Sequence, residues 1–77
     1  MSTTVASDQV PRVDKPKHPL HALATFELNE YRRQLELAIG YYGKHHPTAP
    51  VLAILRKALS DVLAEQEDRA RLSAVDA

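Results

Sequence analysis

Cysteine and tryptophan are absent from this 77-residue chain, phenylalanine occurs once and glycine twice. Without cysteine there is neither a disulfide framework nor a thiolate metal site. An excess of charge is missing too: ten Lys and Arg oppose ten Asp and Glu, for a formal net charge of zero. That balance removes the usual electrostatic footprint of a nucleic-acid binder or a membrane-surface protein. No apolar run approaches the length that crosses a bilayer, about 20 residues. The polar opening stretch, residues 1–19, also lacks the apolar central region of a signal peptide. The expectation is therefore one small cytoplasmic domain with no membrane partner. A chain of this length buries only a modest fraction of its surface and is marginally stable alone.

What is present divides into an arm and a helical part. Pro11, Pro16 and Pro19 fall within residues 1–19, where Val5, Val10 and Val13 are the sizeable apolar side chains. Proline removes backbone donors and biases its predecessor toward extended conformations. So little apolar surface cannot offset the entropy of ordering, and a flexible arm is expected over 1–19. From Leu20 the composition shifts to Leu, Ala, Glu and Arg. Ala24, Leu28, Tyr31, Leu35, Ala38 and Tyr42 recur at steps of four and three, which places them on one stripe of a helix over about 20–43. Gly43 is suited to a left-handed cap, and 44–48 reads as a turn. Thr48 is then an N-cap candidate for a second helix over about 49–71, with Pro50 tolerated in its first turn. That helix continues the stripe with Leu52, Leu55, Leu59 and Val62, and 73–77 should fray. Arg32 with Glu36, Glu30 with Arg33, Glu65 with Arg69, and Glu67 with Arg71 stand at pairing distance on the solvated sides.

The fold class that follows is all-α: a two-helix antiparallel hairpin in the span 20–72. Its seam sets Leu28, Tyr31, Leu35, Ala38 and Tyr42 against Leu52, Leu55, Leu59 and Val62. Two helices cannot absorb every apolar side chain in one seam. Tyr41, Val51 and Ile54 fall outside it and are candidates to face a partner. Small scaffolds without disulfides or metal commonly associate. The expectation is a homodimer, a four-helix bundle, or docking of the hairpin onto a larger protein.

Chemistry-bearing patterns are sparse. His18 with His21 and His45 with His46 form two pairs at opposite ends of the first helix, about 37 Å apart at the usual helical rise. No cysteine or nearby carboxylate completes either set as a metal site. Of the first-helix carboxylates Glu27, Glu30 and Glu36, the last two have a basic residue at helical pairing distance, as an ordinary solvated face does. Gly40 and Gly43 lack the Lys-Ser/Thr of a phosphate-binding loop, and no serine elbow or cysteine nucleophile occurs. No catalytic, metal-ligating or cofactor-binding residue is expected. The reading is a non-enzymatic adaptor or accessory protein.

One stretch supports an alternative. Ile54-Leu55-Arg56-Lys57-Ala58-Leu59, followed by Val62-Leu63, resembles the second helix of ribbon-helix-helix repressors. Upstream, Ala24-Thr25-Phe26-Glu27-Leu28 alternates in the manner of that family's strand, with Asn29 as a cap for the helix that follows. The resemblance covers about half the chain. It implies a dimeric DNA-binding repressor whose paired strands present Thr25 and Glu27 to DNA and keep Phe26 and Leu28 in the dimer core. Only under this alternative is nucleic acid a partner.

Overall fold

A computed structural model describes residues 10–76. Its helical elements are a single 3-10 turn at Leu20–Ala22, helix α1 (Thr25–His45) and helix α2 (Pro50–Asp76). The two long helices form an all-α hairpin, and no strand occurs among the described residues.

The first helix begins later than the apolar spacing predicts. Leu20 starts the short turn, in which the Ala22 and Leu23 N–H groups donate to the Pro19 and Leu20 carbonyls at 2.9 and 3.1 Å. Leu23 and Ala24 are then extended, with ψ near 143° and 158°, so the chain restarts rather than continuing as helix. Glu27 fixes the restart: its carboxylate accepts the Ala24 N–H at 2.8 Å. This is the carboxylate half of a capping box, the other half being closed to alanine, which has no side-chain acceptor. Thr25, Phe26, Glu27 and Leu28, the strand of the ribbon alternative, are thus the first turn of α1.

The second boundary also moves. Helix α1 passes through Gly40 and Gly43, neither of which has a positive φ, and ends at His45. The His46 N–H closes it onto the Tyr42 carbonyl at 2.8 Å. The turn is therefore 46–49 rather than 44–48, and Ala49 rather than Thr48 precedes the first helical residue. Pro50 occupies that residue, where the missing donor is no loss. At the far end α2 runs on to Asp76, through the residues expected to fray.

The seam fills as helical spacing requires. Leu23, Leu28, Tyr31, Leu35, Ala38, Leu52, Leu55 and Val62 are buried. Ile39, Tyr42, Val51, Ala58 and Leu59 pack against them half-buried. Polar ties hold the register. The Gln66 side chain donates to Asn29 Oδ1 at 2.6 Å and accepts from Arg32 at 2.9 Å, joining the two helices along one flank. Arg69 joins α2 to the 3-10 turn, donating to the Leu20 carbonyl at 3.1 Å and the Leu23 carbonyl at 2.7 Å.

The flexible arm expected over 1–19 falls partly outside the described residues, which begin at Val10. From there to Pro19 the chain lies against the hairpin. Val13 packs on the core, and the Asp14 N–H donates to Gln34 Oε1 at 2.7 Å.

Candidate functional site

The segment Lys15–His18 runs between two open grooves that meet at Tyr31. One, of about 360 Å³, is bounded by Leu20, Tyr31 and the α2 residues Ile54, Ala58 and Asp61. The other, of about 400 Å³, is bounded by Leu23, Phe26, Glu27 and Gln34. Burial raises the pKa of the Tyr31 phenol above its usual 10.0, and the nearby negative charge of Asp61 adds to the effect. Tyr31 is thus held neutral at physiological pH. Asp61 is itself engaged by Lys57, whose ammonium lies 2.7 and 2.9 Å from its two oxygens. The groove wall here is a neutral phenol beside a carboxylate already engaged by a lysine. Among the described residues no charged side chain is buried, and no group of three His, Asp or Glu is placed to hold a metal.

Several large apolar side chains stand exposed outside the seam. Phe26 is 74% exposed, Ile54 67%, Leu37 51% and Leu63 40%. Phe26 and Leu37 stand eleven residues apart on α1, close to three turns, so both lie on its outward side. Between them Glu30 and Arg33, also exposed, pair at 3.2 Å, and Glu30 accepts a second, longer bond from Gln34.

The three residues expected to face a partner are split by the structure. Ile54 is exposed at the rim of the first groove. Val51 is half-buried against the core. Tyr41 is half-buried in an aromatic cluster at the end of α1, edge-on to Tyr42 at 5.3 Å and tilted against His45 at 4.7 Å. Of the nine seam residues, seven are buried, and Tyr42 and Leu59 are half-buried. Thr25 and Glu27, the DNA-facing pair of the alternative, are exposed in the first turn of α1, with Glu27 engaged by Ala24.

Sequence spacing did not single out Phe26 as an outward group, nor Val13, Leu20 and Leu23 as core, nor Arg69 as a bridge. Phe26 was legible in principle, since it falls off the helical stripe. The other four depend on a chain reversal near Pro19 that periodicity does not register. No known protein family, curated protein or solved structure matches this chain.

Proposed function

We propose that this protein is a small non-enzymatic interaction module, an adaptor or accessory subunit, acting through apolar side chains on the outside of its helical hairpin. The observation that carries this reading is the exposure of Phe26, Leu37, Ile54 and Leu63 on two helices whose seam is already filled. Covering a large apolar side chain is worth about 1.5–3 kcal/mol relative to leaving it in water. Phe26 and Leu37, both on the outward side of α1, offer a partner, whether a second copy or a larger protein, a driving force of that kind.

The test uses the whole chain. Sedimentation equilibrium reads self-association, and crosslinked pull-down with mass spectrometry from its source cells reads partners. The expected result is association that weakens when Phe26, Leu37 and Ile54 are changed together to Ser with the helical circular dichroism retained. A folded triple variant with the same associations as the parent would overturn the reading.

A further inference from the structure

We infer that the outward face of α1 is a self-complementary surface that pairs antiparallel with the same face of a second copy. This inference rests on the interaction reading above and names the partner. Phe26, Glu30, Arg33, Leu37 and Tyr41 follow one another at steps of four, three, four and four, which keeps them on one face of α1.

A two-fold axis crossing that face between positions 31 and 32 pairs every residue with one whose number completes the sum 63. Phe26 then meets Leu37 of the second copy, and Leu37 meets its Phe26. At the same register Glu30 meets Arg33, and Arg33 meets Glu30. Both the apolar and the charged pairs are satisfied by one axis, the condition an isologous interface must meet. A register shifted by one turn in either direction breaks the Phe26–Leu37 and Glu30–Arg33 matches together.

The surroundings suit this occupant. The four side chains are exposed and stand outside the core. Glu30 and Arg33 already pair within the chain at 3.2 Å, so bringing in the second copy extends an ion pair into a four-charge cluster. The matched contact spans from Phe26 to Leu37, about 16 Å of helix. An interface this short gives a concentration-dependent dimer rather than a permanent one.

Charge exchange tests the register. Sedimentation equilibrium of the full chain should show a dimer. Glu30→Arg alone, and Arg33→Glu alone, each set like charges across the axis and should raise the dissociation constant at least about tenfold. The double exchange restores complementarity in both copies and should return the constant to near the parent value. Leu37→Asp should give a folded monomer, because Leu37 lies outside the core, and circular dichroism confirms the fold in every case. A parent chain that stays monomeric up to ~1 mM overturns the inference, as does a dimer indifferent to the single reversals or unrescued by the double one. The interaction reading fails separately, on the Ser triple variant in the pull-down.

Discussion

Arg69 is the residue whose removal tests most directly how the chain before α1 is held. Its guanidinium donates to the Leu20 and Leu23 carbonyls at 3.1 and 2.7 Å, and its Nε to Glu65 at 2.9 Å. A hydrogen bond from a charged donor contributes about 1.5–3 kcal/mol when well shielded. Here the Arg69 side chain is 28% exposed, so screening lowers the pair of carbonyl bonds to about 2 kcal/mol together. Alanine's better helix propensity returns a few tenths. Arg69→Ala should therefore cost about 2 kcal/mol, a fall in Tm of about 8–16 °C for a domain of this size. Arg69→Lys, which retains the charge but not the fork, should lose about half as much. Glu65→Gln removes only the ion pair and should cost about 0.5 kcal/mol. Thermal unfolding by circular dichroism ranks the three. Amide exchange adds the location: the Ala22 and Leu23 N–H groups, bonded at 2.9 and 3.1 Å within the 3-10 turn, should lose protection before the amides of α1 do. If Arg69→Ala falls no further than Glu65→Gln, the carbonyl bonds do not hold the turn, and its position comes from Leu20 and Leu23 alone.

Core and surface residues should separate cleanly. Leu35→Ala, at a site 1% exposed, should cost about 2–5 kcal/mol in urea unfolding. Ile54→Ala should stay within about 0.5 kcal/mol of the parent; a reversed order would place the seam elsewhere. Gly43→Ala should stabilise α1 by about 0.5–1 kcal/mol, since Gly43 is helical and a Cβ there meets nothing within 4 Å. A loss of Tm instead would mean that the helix stops at Gly43. Tyr31, whose folded pKa lies above the usual 10.0, binds its proton more tightly folded than unfolded. Its contribution is thus complete below pH 10 and lost as pH rises through the folded pKa. Urea midpoints between about pH 9 and 11.5 should fall less steeply for Tyr31→Phe than for the parent.

The hairpin was legible because its information is periodic and local. Leu28, Tyr31, Leu35 and Ala38 repeat at helical spacing, as do Leu52, Leu55 and Val62, and all seven are buried. The boundaries were less legible, for a physical reason at each. Gly43 has the freedom to end a helix but does not need it when the next two residues still find partners in the previous turn. Thr48 has a capping side chain, yet it lies one residue too early. The Leu52 N–H closes the first turn of α2 onto the Ala49 carbonyl, and Pro50 is the first helical residue, which puts Ala49 at the cap position. The start of α1 was hidden because Leu20 to Leu23 fit a helical stripe as well as they fit the observed turn. What decides between them is Arg69, nearly fifty residues away. Of the outward groups, Ile54 could be read from the apolar surplus of α2, whereas Phe26 was assigned to the core of the alternative strand.

The balanced charge gains meaning once it is placed on the fold. The helical ion pairs, Arg32 with Glu36, Arg33 with Glu30, Lys57 with Asp61, Arg69 with Glu65 and Arg71 with Asp68, are each three or four residues apart. Pairs of that kind support their own helix by a few tenths of a kcal/mol and say nothing about which helix packs on which. Contacts between elements fall instead to the seam and to Gln66, Arg69 and Gln34. These pairs leave the helices with charges of both signs interspersed rather than in a block of one sign. Under the proposed reading recognition rests on short-range fit, for which the outward face of α1 offers two apolar groups and a central pair of opposite charges. In the proposed pairing Glu30 and Arg33 serve both levels, closing a local pair in one chain and matching the same pair, reversed, in the next.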